Sequence, residues 1–185
     1  MHVKEKTRRD VEEKLKTLGA FVKMDYLTSC LKQPIDFDTR RFALLKLAEL
    51  YEQKKMFFEA GRMMHNAAPI NTTIMEKIAN YLHAAELFLK SGNFQHADIA
   101  FDKAIGSCET EQQRTHVKDK RINFYKQQAK SYLDNEKRQS AVLAYEKLLS
   151  LNLAAVEKQE AQATLLDLYE KLGKIKEFYA LKRVM

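Results

Sequence analysis

An all-α fold is predicted by three observations. The 185 residues include only 5 Gly and 2 Pro, too little turn material for an all-β chain. Helix formers (Ala, Leu, Glu, Lys, Gln, Met) dominate almost every stretch, and the strand formers are scattered rather than alternating. The third observation is self-similarity: one helix–break–helix pattern recurs four times. Hydrophobic residues make up 45% of the chain, enough for a core.

The four copies align without gaps. They read LLKLAELYEQKKMFFEAGRMMHNA from Leu44, YLHAAELFLKSGNFQHADIAFDKA from Tyr81, YKQQAKSYLDNEKRQSAVLAYEKL from Tyr125 and QATLLDLYEKLGKIKEFYALKRVM from Gln162. A small residue (Ala48, Ala85, Ala129; Leu166 in the fourth copy) precedes an aromatic by three positions (Tyr51, Phe88, Tyr132, Tyr169). Nine residues on comes Ala60, Ala97 or Ala141, with Phe178 in the fourth copy. Four further on stands Met64, Phe101, Tyr145 or Lys182. Small residues let antiparallel helices approach closely. The aromatic is expected to fill the space between its own pair and the next. The period is uneven: 37 residues from Ala60 to Ala97, 44 from Ala97 to Ala141, and 37 from Ala141 to Phe178.

These positions resemble the tetratricopeptide family, whose repeat is a helix–turn–helix of about 34 residues with small and aromatic positions in this order. The resemblance covers residues 42–185. The family's Trp is replaced by Leu44, Tyr81, Tyr125 and Gln162, and the period exceeds the family norm. In its longer helices the chain is also similar to the extended arrays of SNAP-like vesicle-fusion adaptors. The resemblance implies a right-handed α-solenoid of about four hairpins (42–69, 78–107, 110–151 and 153–185) within an array over 35–185. An N-terminal helical segment, 1–34, is expected to pack on that array.

Residues 4–31 read as one amphipathic helix or two shorter ones, with Leu15, Leu18, Val22, Tyr26 and Leu27 on the apolar face. Gly19 weakens its middle. The loop from Gln33 ends it, and Asp38 or Thr39 is expected to cap the next helix. Thr73 and Glu76 have capping-box spacing, as do Thr110 and Gln113. Ser91-Gly-Asn, Asp134-Asn135 and Leu172-Gly-Lys mark breaks.

No catalytic or metal-binding pattern emerges, so neither enzymatic activity nor a cofactor is expected. The five histidines show no i, i+4 pair, although His83 and His96 could approach one another across the second helix pair. No glycine-rich loop is present, and Cys108 has no activating base near it in sequence. Two widely separated cysteines, no apolar run of membrane-spanning length and no secretory signal point to a cytoplasmic chain with free thiols.

Function is therefore expected on the surface. In the family the first helix of each pair lines the concave face, which implies a partner-binding set of Leu45, Glu49, Gln53, Leu82, Glu86, Lys90, Asn123, Lys126, Lys130 and Asp167. Asp134, Ala163 and Glu170 lie beside them. The position where some family members place paired asparagines holds Lys46, His83, Gln127 and Thr164, so a carboxylate clamp is not expected. Net charge is +7, concentrated in residues 1–34, 110–138 and 171–185, which favours acidic partners. Arg114, Lys118 and Arg121 share one helical face. The expected function is a scaffold or adaptor holding a peptide or helix of another protein. The alternative is a binder of nucleic acid or an anionic membrane through that basic face. On the C-terminal helix Phe178, Leu181 and Val184 are expected to pack on the fourth copy, and the uncovered outer side of that helix invites self-association or docking of a partner.

Overall fold

The computed structural model describes residues 4–185. Among these it contains ten α-helices and no strand: α1 Arg8–Lys16, α2 Ala20–Leu31, α3 Phe37–Gln53, α4 Phe57–Ala67, α5 Ile74–Lys90, α6 Phe94–Gly106, α7 Glu111–Asp134, α8 Arg138–Leu149, α9 Ala155–Lys171 and α10 Ile175–Lys182. A single 3-10 turn at Ala68–Ile70, carrying Pro69, closes α4. From α2 to α6, and again from α8 to α10, helices adjacent in sequence pack against one another, and α1 packs on α3. The chain forms two compact units, Met1–Val117 and Lys118–Met185.

The N-terminal stretch is two helices, separated at Gly19, which serves as N-cap of α2. Val11, Leu15, Tyr26, Leu27 and Cys30 form one core cluster with Phe42, Ala43 and Leu47 of α3. Val22 was expected on that apolar face but is 44% exposed. The break at Gly19 resets the helical phase, so periodicity carried over from α1 misplaces it. The cap of α3 is Asp36, earlier than expected. Its carboxylate accepts from Thr39 N–H at 2.8 Å and from the Thr39 hydroxyl at 2.7 Å. Asp38 instead faces Arg8 and Arg41.

The alanine positions of the repeat and most of its aromatics are interior, whereas Tyr145, Leu166 and Phe178 are half-buried and Lys182 is exposed. Ala48, Ala85, Ala129, Ala60, Ala97 and Ala141 are all buried, as are Phe88, Tyr132, Tyr169 and Phe101, while Tyr51 packs partly buried on the N-terminal cluster. Gly61, next to Ala60 on α4, marks the closest approach. A Cβ there would lie 2.9 Å from the Phe88 ring and 3.3 Å from Ala84 O on α5. Two of the aromatics, Phe88 and Tyr169, also reach a neighbour other than the expected one. Phe88 of α5 packs on Phe58 of α4, with centroids 5.7 Å apart. Tyr169 of α9 donates to Glu146 of α8 at 2.8 Å. Both rings turn to the second helix of the preceding pair. In the first unit α5 lies between α4 and α6, and in the second α9 lies between α8 and α10; small residue and aromatic, three positions apart, share one helical face.

Each hairpin turn repeats one backbone device. In all four the amide five residues past the aromatic donates back to the aromatic's own carbonyl: Met56 to Tyr51 at 2.9 Å, and Asn93 to Phe88, Lys137 to Tyr132 and Lys174 to Tyr169 at 2.8 Å each. The residue before that amide is left-handed in every case, with φ of 58° at Lys55, 78° at Gly92, 57° at Glu136 and 66° at Gly173. This is the bond pattern that closes helix C-termini and ordinarily recruits glycine. Here it follows the repeat even where the side chain opposes it.

Candidate functional site

In the first unit the candidate residues lie on α3 and α5. Arg41 sits 3.7 Å from Glu76, and His83 Nε2 sits 3.3 Å from Glu52. The contacts advance in the same direction along both helices, so α3 and α5 run parallel. His83 thus faces α3, whereas His96 packs edge-on against Phe58 at 5.1 Å. The two histidines therefore face different neighbours, Glu52 of α3 for His83 and Phe58 of α4 for His96.

Leu45 and Leu82 are half-buried, Glu49, Gln53 and Lys90 are exposed, and Glu86 is half-buried. Leu45 lines a cleft of about 270 Å³ together with Asn80 and the ion-paired Arg41 and Glu76. Glu49 and Gln53 line another of about 340 Å³, beside Lys23 and Lys46. Much of the charge is answered locally: Lys46 pairs with Glu49 at 2.8 Å and Lys90 with Glu86 at 2.9 Å. Exposed pairs of this kind contribute little to stability, but they reduce the charge left for a ligand.

In the second unit Asn123, Lys130, Asp134, Ala163 and Glu170 are exposed and Lys126 is half-buried. Lys126 donates to Glu157 at the start of α9, tying α7 to that helix. The contact holds the Glu157 carboxyl below the usual carboxylate range. The other Glu157 oxygen accepts from Ala154 N–H at 3.3 Å, closing the N-terminus of α9. Asp167 pairs with Lys171 at 2.7 Å. Lys130 makes no ion pair among the described residues.

Of the basic triplet on α7, Lys118 is exposed whereas Arg114 and Arg121 are half-buried. Arg114 pairs with Glu111 at 3.2 Å. The Thr110–Gln113 cap forms in both directions: Thr110 Oγ1 accepts from Gln113 N–H, and Gln113 Oε1 accepts from Thr110 N–H, each at 3.2 Å. At α5 only half of the expected box is made. Thr73 accepts from Glu76 N–H at 3.2 Å, and the Glu76 carboxylate turns to Arg41.

Cys30 and Cys108 are buried free thiols, and burial pushes both above the ordinary thiol range. Among the described residues no group of three His, Cys, Asp or Glu side chains converges as a metal site would require. No described helix is long and apolar enough to cross a membrane. On α10 no residue is fully buried: Ile175 and Tyr179 are 66% and 58% exposed, and Val184 just beyond the helix is 74% exposed. Phe178 and Leu181, by contrast, are half-buried.

Two features escaped the sequence. The Lys126–Glu157 contact joins residues 31 positions apart, beyond any local pattern. An aromatic cleft lined by Phe58, Phe88 and His96 draws on three helices, α4, α5 and α6. By contrast, Lys46–Glu49, Glu86–Lys90 and Asp167–Lys171 stand at i, i+3 or i, i+4 and were readable as helical pairs. Compared with models of known protein families the chain matches none. Compared with curated proteins it likewise finds no match.

Proposed function

We propose that the chain is a protein-interaction scaffold of tetratricopeptide-like hairpins that binds a peptide or helix of a partner on the surface of its first helices. The observation that carries this reading is the setting of Leu45 and Leu82. Both are half-buried apolar side chains on parallel helices, bordered by exposed Glu49, Gln53 and Lys90. Apolar contacts there would supply affinity, and the charged border would set partner choice. The proposed scaffold has no catalytic role and uses no cofactor. Binding of nucleic acid or anionic lipid through α7 has less behind it, since Arg114 is already paired and only Lys118 of the triplet is exposed. Self-association would use Ile175 and Tyr179 of α10.

The test uses the full chain as bait for affinity capture with mass-spectrometric identification, followed by binding measurements on the purified partner. Leu45→Asp with Leu82→Asp should weaken that binding while far-UV circular dichroism stays constant. Undiminished binding in that variant would remove the surface from consideration. Salt-dependent retention on heparin near physiological ionic strength would favour the α7 alternative.

A further inference from the structure

Phe58, Phe88 and His96 bring three rings together where α4, α5 and α6 meet. Their centroids are 5.7 Å apart for Phe58–Phe88, 5.1 Å for Phe58–His96 and 5.3 Å for Phe88–His96. They line a cleft of about 470 Å³ with Arg62, His65 and Ile99 on its walls. That volume falls in the range of small-ligand sites and is enough for one bulky side chain with its flanking backbone. Ile99, 51% exposed, also lines a neighbouring cleft of about 570 Å³ that Lys77 and Lys103 border, with Asp102 its sole carboxylate.

The charge here differs from that on α3 and α5. No carboxylate lines the aromatic cleft. Arg62 is exposed and makes no ion pair among the described residues. Burial holds the His65 imidazole below its ordinary range, so it stays neutral near pH 7, and its buried Nε2 has no hydrogen-bond partner. The cleft therefore has an aromatic floor and a cationic rim, with no acid of its own at that rim. A complementary ligand carries a bulky apolar group to cover the rings and a negative charge within reach of Arg62.

We propose that this cleft docks a segment of a partner polypeptide in which an aromatic or aliphatic side chain is flanked by acidic residues. The apolar side chain lies on Phe58, His96 and Ile99, above the buried Phe88 ring, and a neighbouring carboxylate pairs with Arg62. The guanidinium is the group that selects for acid, because its planar fork matches a carboxylate. This second contact surface is independent of the α3–α5 surface, and either can fail alone.

The probe is a capped six-residue peptide, a central Leu-Phe pair with two glutamates on each side, titrated into the full chain and followed by NMR. Saturable shifts at the Phe58, Phe88 and His96 ring signals are expected. A peptide with lysines in place of the glutamates should leave them unmoved, as should one with glycines in place of Leu-Phe. Arg62→Glu, at an exposed position, should preserve the circular dichroism spectrum and weaken the acidic peptide by about tenfold. Equal response to the lysine peptide, an unaffected Arg62→Glu, or no saturable shift up to millimolar peptide would each overturn the proposal. Shifts confined to Leu45, Leu82 and Lys90 would overturn it too, while leaving the α3–α5 reading standing.

Discussion

Replacing Gly61 by alanine tests whether α4 and α5 touch as closely as the packing requires. Two effects oppose each other. Alanine inside a helix is favoured over glycine by about 1 kcal/mol. Against this, the new Cβ would lie 2.9 Å from Cδ1 and Cε1 of Phe88 and 3.3 Å from Ala84 O, and the first distance is one that real contacts avoid. Phe88 cannot simply swing away, since it is 2% exposed and held between Phe58 and His96. Overpacking of this kind costs about 1–3 kcal/mol. The net expectation is a loss of about 1 kcal/mol, or a fall in Tm of about 2–4 °C for a chain of this size. The discriminating assay is a double-mutant cycle in urea with Phe88→Leu. With the ring gone, Gly61→Ala should recover the helical gain and become neutral or stabilising. A coupling energy within about 0.5 kcal/mol of zero would mean that the two sites do not meet. A Gly61→Ala that stabilises the wild-type background by the full propensity term would refute the close approach outright.

Lys55→Gly and Glu136→Gly should each raise the midpoint of urea denaturation, by an amount corresponding to less than about 1 kcal/mol. Both positions have the positive φ that glycine adopts without strain, and the entropic cost of glycine offsets part of the relief. His65 makes stability fall on acidification. Its folded imidazole is held below the ordinary value by burial, so the unfolded chain takes up the proton first. The contribution is fully present above about pH 6.5, the ordinary value, and is lost as pH falls from there through the lowered folded value. Chemical denaturation from pH 7.5 down to 5 should show this slope, and His65→Gln should flatten it. Lys126→Met should raise the Glu157 carboxyl toward its ordinary range, read from its carbonyl carbon during an NMR titration. In the native chain the stabilisation from that carboxylate is present above the ordinary carboxylate range and disappears as pH falls through the lowered folded value. An unchanged Glu157 titration would show that Lys126 does not hold it.

The helices and their pairing were legible because they depend on local residue choice and on spacing repeated four times. Alanine at 48, 60, 85, 97, 129 and 141 announced close contacts, and all six positions are buried. What escaped has identifiable causes. Glycine is the sequence sign of a left-handed turn residue, so Gly92 and Gly173 were visible, whereas Lys55 and Glu136 carried no signal. Val22 was misplaced because Gly19 interrupts the helix on which its phase was counted. Asp36 rather than Asp38 caps α3, a two-residue difference that side-chain chemistry alone does not resolve. The aromatic cleft escaped because its rings come from positions 58, 88 and 96, which only packing brings together. The candidate surface residues were placed by resemblance. The fold adds that many of their charges have partners within the chain.

The uneven period has a simple origin. Helices α3, α5 and α9 are 17 residues long and α7 is 24, seven more. Seven residues make two turns to within about 20°, so the lengthened rod keeps its buried side in phase. An insertion or deletion of three or five residues would instead rotate Tyr125 and Ala129 out of the interior. The surplus turns, Glu111–Val117, belong to the first unit. There Val117 completes a cluster with Ile78, Tyr81, Ala104 and Cys108. Anyone trimming the chain to its N-terminal half should therefore cut beyond Val117. Stopping at Thr110 would strip the seal from that cluster and leave a greasy, thiol-bearing scar in water.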